Sequence, residues 1–229
     1  MSGTLFVVAT PIGNLQDITL RAIETLKAAD LIACEDTRRS ATLLRAHGIA
    51  TPTTSYHSYS GAGKQRRLVQ ELCDGKRIAL ITDAGLPGIS DPGTPLIHAA
   101  IAAGIPVEVI PGASAALTAL VLSGFPTDRF AFEGFLPVKP GPRRRRLEAL
   151  RGEERSVIIY EGPHRLQRLL GDIRTVLGDV PLSISRELTK RFEETLRGRV
   201  SELEQRLAQW PPKGEFVVVV PPERRRQHG

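Results

Sequence analysis

Cysteine and histidine are scarce in this sequence, and neither forms a pattern that would hold a metal. The two cysteines, Cys34 and Cys73, lie far apart, and the five histidines are scattered along the chain. Neither cysteine has a histidine at the short spacing of a zinc site. The sequence therefore indicates no metal site, and two cysteines without motif spacing favour a cytoplasmic protein with reduced thiols.

Long apolar runs and the familiar nucleotide-binding patterns are also missing. No stretch approaches the roughly 20 apolar residues of a membrane span, and no secretory signal is visible at the N-terminus, so we expect no membrane partner. No Walker A loop and no GxSxG elbow occurs. After the first predicted strand, Pro11-Ile12-Gly13 stands where a dinucleotide fingerprint would begin. These absences argue against a ligand held by a phosphate cradle.

What the first half does contain is a repeated rhythm of strand, loop and helix, which predicts a parallel sheet in an α/β domain. The most informative stretch is residues 77–95, RIALITDAGLPGISDPGTP, a short apolar strand that breaks into an acidic loop rich in glycine and proline. Three other strands end in unusual loops, at residues 10–14, 35–37 and 111–115. Loops at the carboxyl ends of parallel strands share one edge of the sheet, so we expect a ligand site there. The alternative is that they are only tight turns.

The pattern changes after residue 123. Residues 124–128, GFPTD, look like a boundary, and the later predicted strands crowd together at 182–187, 193–199 and 216–220. Closely spaced strands indicate a partly antiparallel sheet. We therefore predict an α/β protein of two domains, residues 1–123 and 124–229, with a parallel N-terminal sheet, a mixed C-terminal sheet and the ligand cleft between them.

Positive charge exceeds negative charge, with a formal net charge of +6 and a pI of about 9.7. Such a balance suggests a polyanionic partner. Two blocks stand out, the four arginines at 143–146 and the three at 224–226. For the first block, phosphate contact is favoured over a solvated helix face; for the C-terminal block, phosphate contact and a frayed tail remain equally open.

Several segments resemble the tetrapyrrole methylase superfamily, whose members bind S-adenosylmethionine: ATPIGN, TDAGLPGISDPGTP and VIPGASA. Four segments resemble one branch of the superfamily in particular, the cytidine 2′-O-ribose methyltransferases of small-subunit ribosomal RNA. They are VVATPIGNLQDITLRA, ACEDTRRS, YEGPHR and RELTKRFEE. The resemblance covers nearly the whole chain, with its motifs in the right order. It implies two α/β domains with the cofactor cleft between them, and a homodimer.

The resemblance also implies which residues hold S-adenosylmethionine. The superfamily's Gly-Gly-Asp-Pro turn corresponds here to Ile89-Ser90-Asp91-Pro92, so the glycines are replaced. Asp83, at the strand tip, is placed with this set, and either faces the acceptor ribose or braces the loop. The implied cofactor-binding residues are Pro11, Ile12, Asp83, Ile89, Ser90, Asp91, Thr94, Ser114, Ala115, Tyr160, Leu188 and Thr189.

The implied reaction is methyl transfer to the ribose 2′-hydroxyl of a cytidine in the decoding centre of 16S rRNA, within the small ribosomal subunit. A 2′-hydroxyl is a poor nucleophile, so a base or a cation near its oxygen would help. We choose Asp36 and Lys190 as catalytic residues from a wider set of Glu35, Asp36, Asp83, Glu161, Glu187 and Lys190. The alternatives are a helix cap for Asp36 and a solvated side chain for Lys190.

RNA contacts are expected from basic side chains, and Tyr56, Tyr59 or Phe135 could stack on a flipped base if they are not core residues. Two other functions stay open: a small-molecule methylase of the tetrapyrrole kind, and a non-catalytic RNA-binding or ribosome-assembly protein of the same fold. The expected RNA-binding residues are Arg38, Arg39, Arg143, Arg144, Arg145, Arg146 and Arg165.

Overall fold

The computed structural model describes residues 2–208 and 213–223, which form two compact units divided between Ser114 and Ala115. The arginine block at 224–226 lies outside the described residues. Each unit is built around a five-stranded sheet, the first parallel and the second mixed. The predicted α/β class is confirmed.

The first unit is a parallel sheet with helices on both faces, in the strand order β3-β2-β4-β1-β5. Neighbouring residues of the central strand β4 bury their side chains on opposite faces: Ile78 and Leu80 pack with α3 and α4, whereas Ala79 and Ile81 pack with α1 and α2. This is why the strand reads as a continuous apolar run. The elements are β1 (Thr4–Val8), α1 (Leu20–Ala28), β2 (Leu31–Cys34), α2 (Thr37–Ala46), β3 (Thr53–Ser55), α3 (Ala62–Cys73), β4 (Arg77–Ile81), α4 (Thr94–Ala102) and β5 (Val107–Ile110).

The second unit has the strand order β6-β7-β10-β8-β9. Strand β6 is parallel to β7, and the other pairs are antiparallel. Every residue of β10, the sequence FVVVV, is buried because this strand lies in the centre of the sheet. The elements are α5 (Ala115–Ser123), β6 (Phe130–Phe135), α6 (Pro140–Glu148), β7 (Ser156–Glu161), α7 (Pro163–Leu177), β8 (Pro181–Arg186), β9 (Glu194–Arg199), α8 (Val200–Ala208) and β10 (Phe216–Val220).

The division between the units falls before α5, whereas the sequence placed it after residue 123. Helix α5 packs against β7, β8, β9 and β10, so it belongs to the second unit. The glycine and proline at 124–128 therefore mark the turn between α5 and β6, inside the second unit.

The first residues of two helices follow from local capping chemistry. Helix α1 begins at Leu20, since the Thr19 hydroxyl accepts a hydrogen bond from the Ala22 N–H and makes Thr19 the N-cap. Helix α6 begins at Pro140, where the fixed φ of proline suits the first turn.

Candidate functional site

Three of the four unusual loops meet at the carboxyl edge of the first sheet. The backbones of Thr10 and Gly85 exchange hydrogen bonds of 2.9 and 3.1 Å, and the Thr10 hydroxyl donates to the Thr82 carbonyl at 3.1 Å. A side chain at Gly85 would place its Cβ 3.8 Å from Ile12 Cγ2 and 4.0 Å from the Ala113 carbonyl oxygen. The loops after β1, β4 and β5 therefore form one surface around Gly85.

The loop between β4 and α4 is built from left-handed backbone. Gly88 and Gly93 have φ of 87° and 145°, and Ser90 has φ of 61°. A Cβ at Gly93 would lie 3.1 Å from Leu80 Cδ2 and 3.2 Å from the Gly88 nitrogen, so any other residue there would be crowded as well as strained by the positive φ. The loop leaves Ile89, Ser90 and Thr94 exposed. This tight turn therefore displays three of the twelve residues predicted to contact the cofactor.

The other predicted cofactor residues in the loops after β1, β4 and β5 are less exposed. Pro11 and Ile12 are buried, and Asp91, Ser114 and Ala115 are half-buried. Buried apolar side chains at a strand end fix the backbone, so the first loop offers main-chain groups more than side chains.

Asp83 forms an ion pair with the first turn of α2. Its Oδ2 atom lies 2.9 Å from Arg39 Nη1. Between the two roles considered for Asp83, this pair supports bracing of the loop. The pair also engages Arg39, which was expected to contact RNA, although the Arg39 side chain stays largely exposed.

The two neighbouring carboxylates after β2 differ in basicity. Asp36 is the N-cap of α2, and hydrogen bonds from the backbone and side chain of Arg38 lower its pKa. Burial, and then the charge of Asp83, raise the pKa of Glu35. The helix-cap role of Asp36 is what the structure displays, and a lowered pKa makes its carboxylate a weaker base.

The remaining predicted site residues lie at one edge of the second sheet, where strands β7 and β8 end and β10 begins. Phe216, at the start of β10, pairs with Glu161 at the end of β7 and with Arg186 at the end of β8. The end of β7, the loop after β8 and the start of β10 therefore lie side by side. This edge carries Tyr160, Leu188, Thr189, Lys190 and Glu215.

Lys190 lies between two carboxylates at this edge. Its Nζ atom is 3.0 Å from Glu187 Oε1 and 3.2 Å from Glu215 Oε2. Burial lowers the pKa of Lys190, but the hydrogen bonds and charges of Glu187 and Glu215 outweigh this effect and leave the pKa above its ordinary value. The side chain is therefore a fixed cation and not a proton acceptor at neutral pH.

Backbone strain is confined to the predicted site loops. Among non-glycine residues in the described ranges, three have positive φ: Ser90 at 61°, Glu187 at 47° and Thr189 at 64°. Such conformations cost about 1–3 kcal/mol each and cluster at functional sites. Their presence in the loops after β4 and β8 is independent support for those two loops as binding segments.

Tyr160 belongs to an aromatic cluster at the second edge. Its ring packs edge-on against Phe132 and Phe135, with centroid distances of 5.0 and 5.6 Å. The next residue, Glu161, is buried, accepts a hydrogen bond from the Gly162 N–H at 2.8 Å and pairs with Arg165 at 2.9 Å. Arg165, expected to contact RNA, thus holds the turn between β7 and α7.

The four-arginine block divides into different environments. Arg143 is buried, and its guanidinium donates to Asp172 and to the Val138 carbonyl. Arg144 pairs with the other oxygen of Asp172 at 2.6 Å. These pairs hold α6 against α7, so we assign Arg143 a structural role and withdraw it from the RNA-binding set.

The other two arginines of the block differ from each other. Arg146 forms a two-point ion pair with Glu133 on β6. Arg145 is exposed. Local sequence gave no signal for any of these pairings, because each acidic partner lies at least thirteen residues away in the chain.

Two features are absent from residues 2–208 and 213–223. No helix there is long and apolar enough to cross a membrane. No group of three or more histidine, cysteine, aspartate or glutamate side chains is arranged to hold a metal ion in the same residues.

Comparison with known proteins gives consistent matches over nearly the whole chain. Residues 4–204 match the tetrapyrrole (corrin/porphyrin) methylases. Two relatives are named ribosomal RNA small subunit methyltransferase I. The protein of Halalkalibacterium halodurans is 50% identical over 95% of this chain and 75% of its own length. That of Thermotoga maritima is 43% identical over 95% of this chain and 98% of its own.

Solved structures show the same fold at lower identity. Uroporphyrin-III-C-methyltransferase from Thermus thermophilus has a TM-score of 0.67 and 22% identity, covering 95% of this chain and 94% of its own. The methyltransferase CobJ has a TM-score of 0.73 and 19% identity, covering 100% and 98%.

The fold, the two loop edges and these matches lead to one conclusion. The resemblance seen in the sequence motifs is confirmed over 95% of the chain. The chain belongs to the tetrapyrrole methylase family and, within it, to the ribosomal RNA small subunit methyltransferase I family.

Proposed function

We propose that this protein transfers a methyl group from S-adenosylmethionine to the ribose 2′-oxygen of a cytidine in the decoding centre of 16S rRNA. The observation that carries the proposal is the 50% identity, over 95% of the chain, to a protein named for ribosomal RNA methylation. The solved uroporphyrin-III-C-methyltransferase and cobalt precorrin-4 methyltransferase share the fold at 22% identity or less. The contrast favours the ribosomal substrate over the tetrapyrrole alternative.

The residues at the two loop edges fit the cofactor. Ile89, Ser90 and Thr94 present exposed groups on a backbone that glycine packing holds in place, which suits a ligand bound mainly by main-chain groups. S-adenosylmethionine, when bound, supplies the sulfonium methyl group. We propose Asp91 for a cofactor hydroxyl. The remaining proposed contacts are Pro11, Ile12, Ser114, Ala115, Tyr160, Leu188 and Thr189, whereas Asp83 is kept as the brace of its loop.

Lys190 is the residue we propose to act on the acceptor. Since its pKa is raised, the side chain stays protonated at neutral pH and can stabilise the negative charge left on the 2′-oxygen when the hydroxyl proton passes to solvent water. The oxygen then bonds to the methyl carbon as the carbon–sulfur bond breaks, and the demethylated cofactor leaves as a neutral thioether. Asp36 is retained as the cap of α2, and not as the base of the reaction. Correct placement of hydroxyl and methyl group supplies a further part of the rate enhancement.

RNA contacts are proposed for the arginines that remain exposed. Arg38 and Arg39 extend from the first turn of α2, and Arg145 from α6. Each neutralised phosphate strengthens binding in a salt-dependent way. Arg144, Arg146 and Arg165 already serve ion pairs and are proposed as secondary contacts.

We also propose a homodimer, located in the cytoplasm with its ribosomal substrate. Strand β5 is an edge of the first sheet, and Val109 on it is half exposed. An exposed apolar edge strand is a surface that proteins usually cover.

One labelling experiment separates the three functions considered. The protein is incubated with methyl-labelled S-adenosylmethionine and either small ribosomal subunits that lack the modification or porphyrinoid precursors. Label in a 2′-O-methylcytidine of the rRNA supports the proposal. Label on the porphyrinoid contradicts it, and cofactor binding with no transfer identifies a non-catalytic protein of the same fold.

Gly93→Ala is expected to weaken S-adenosylmethionine binding by roughly tenfold to 100-fold, because a small displacement of a binding loop is costly. The new Cβ would press on Leu80 and on the Gly88 backbone and shift the loop between β4 and α4. Isothermal titration calorimetry measures the affinity.

The matched control for this variant is Gly104→Ala. Gly104 also has positive φ, 68°, but a Cβ there meets nothing within 4 Å. Both variants lose stability through backbone strain, by about 1 kcal/mol or more. If both bind S-adenosylmethionine equally well, the loop after β4 is not the cofactor contact.

A further inference from the structure

Tyr59 is an aromatic residue held out into solvent by a rigid turn. The His57 N–H donates to Ser60 Oγ at 2.9 Å, and the Ser60 N–H donates back to the His57 carbonyl at 2.8 Å. The Tyr59 N–H donates to His57 Nδ1 at 3.2 Å. These bonds fix the backbone, yet the side chain is 93% exposed. A tyrosine in this position contributes little to the core, and its ring is accessible to a partner.

Three aromatic residues were considered from the sequence as platforms for a base, and the structure separates them. Tyr56 is only 4% exposed and lies in the core beneath α3 and α4. Phe135 is half exposed but already packs against Tyr160. Tyr59 has one distant ring neighbour, His57, at 6.4 Å and tilted by 55°. Its ring face is therefore the one that a planar ligand can cover.

The turn lies beside basic side chains at the carboxyl edge of the first sheet. Strands β2 and β3 are parallel, with Cys34 paired to Ser55, so the segments that follow them leave the sheet at the same edge. The first turn of α2 carries Arg38, whose side chain is 90% exposed. On the other side, α3 starts at Ala62 and presents Arg66 to solvent. An exposed ring and exposed arginines on neighbouring segments of one sheet edge are the components of a single-strand binding surface.

We propose that the Tyr59 ring stacks on an unpaired base of the RNA substrate, while Arg38 and Arg66 contact the phosphates on either side. The inference rests on the proposed function, since it takes RNA as the methyl acceptor. It adds a residue that binds a nucleotide near the methylated cytidine. Unpaired bases in RNA are commonly recognised by stacking on aromatic side chains. Since every base has a flat face, such a contact tolerates different sequences and adds affinity without reading them.

The test is RNA binding by variants of the full chain. The probe is a single-stranded oligonucleotide that contains the decoding-centre cytidine, with 2-aminopurine at neighbouring positions in turn. Tyr59→Ala is expected to weaken binding by about 5- to 100-fold, the range for loss of one stacked base. Tyr59→Phe keeps the ring and should bind like the unmodified protein. At one 2-aminopurine position, quenching should be present with Tyr59→Phe and absent with Tyr59→Ala.

Salt dependence distinguishes stacking from phosphate contact. Tyr59→Ala should leave the slope of log Kd against log salt unchanged, whereas Arg38→Ala should reduce it by about 1. Leu20→Ala, at another side chain that is 80% exposed, is the surface control and should change neither quantity.

The inference is overturned if Tyr59→Ala binds RNA like the unmodified protein, or if Tyr59→Phe is as weak as Tyr59→Ala. Its failure differs from failure of the proposed function. Binding that depends on Tyr59, without methyl transfer to rRNA, would contradict the function and support the stacking contact. Methyl transfer at subsaturating RNA that is unchanged in Tyr59→Ala would contradict the stacking contact alone.

Discussion

Asp172→Asn should lower the free energy of unfolding by about 3–5 kcal/mol, the cost of leaving a buried charge without its partner. The side chains of Asp172 and Arg143 are only 5% and 4% exposed, and the carboxylate also receives Arg144. Removing the negative charge leaves the buried Arg143 guanidinium with neutral acceptors alone, the Val138 carbonyl and the amide oxygen of the substituted side chain. Urea unfolding followed by circular dichroism measures the change.

The control is an exposed ion pair on the same helix. Arg174 on α7 pairs with Glu204 at 3.1 Å, and Arg174→Ala should cost at most about 1 kcal/mol. Replacing both buried partners, by Arg143→Met with Asp172→Leu, should recover most of the loss, because two apolar side chains leave no unpaired charge. Equal losses for Asp172→Asn and Arg174→Ala would contradict the structural role of the arginine block.

The same ion pair gives a pH dependence. Burial raises the pKa of Asp172, but the hydrogen bonds from Arg144 and Arg143 outweigh it, so the pKa lies below its ordinary value. A carboxylate with a lowered pKa stabilises the fold above the ordinary value of about 3.9 and loses that effect as pH falls below it. The stability difference between the unmodified protein and Asp172→Asn should therefore be full at neutral pH and shrink in acid.

Lys190→Met is expected to reduce kcat for methyl transfer by about 100-fold, the order of the loss when one hydrogen-bond donor to an oxyanion is removed. The KM for S-adenosylmethionine should stay near its normal value, because the lysine is proposed to act on the acceptor oxygen. Initial rates with labelled cofactor and small ribosomal subunits give both constants.

Arg191→Met is the matched variant, since it removes one positive charge from the same loop. Arg191 packs over the Phe192 ring at 5.5 Å. It should lower RNA affinity slightly and leave kcat unchanged. Normal kcat in Lys190→Met would exclude the catalytic role, and lost cofactor binding with normal kcat would make Lys190 a binding residue.

The sequence was sufficient for the elements and for the loops that follow strands. Residues 78–81 are apolar on both faces, which is the sequence pattern of a buried strand in any parallel sheet. The glycines and the Asp-Pro pair that follow predict a tight turn from local chemistry alone. The strained Ser90 and Thr189 both lie in segments that the motifs had singled out. Local rules suffice because these features depend on neighbouring residues.

Pairings across the fold were not predictable in the same way. Arg143 looks like a surface residue in a block of four arginines, and Asp172, which buries it, lies 29 residues away. Lys190 has one partner three residues away and another, Glu215, 25 residues away. The unit boundary was misplaced for a similar reason: α5 is defined by the sheet on which it packs, and that sheet is made later in the chain.

The central claim, 2′-O-methylation of one cytidine in small-subunit rRNA, is tested most directly by identifying the methylated nucleoside. Small subunits lacking the modification are treated with the protein and labelled S-adenosylmethionine, and the rRNA is digested to nucleosides and analysed by mass spectrometry. The account predicts label in 2′-O-methylcytidine, with the adjoining phosphodiester resistant to alkali. Label on a base, or transfer only to a porphyrinoid, would contradict it.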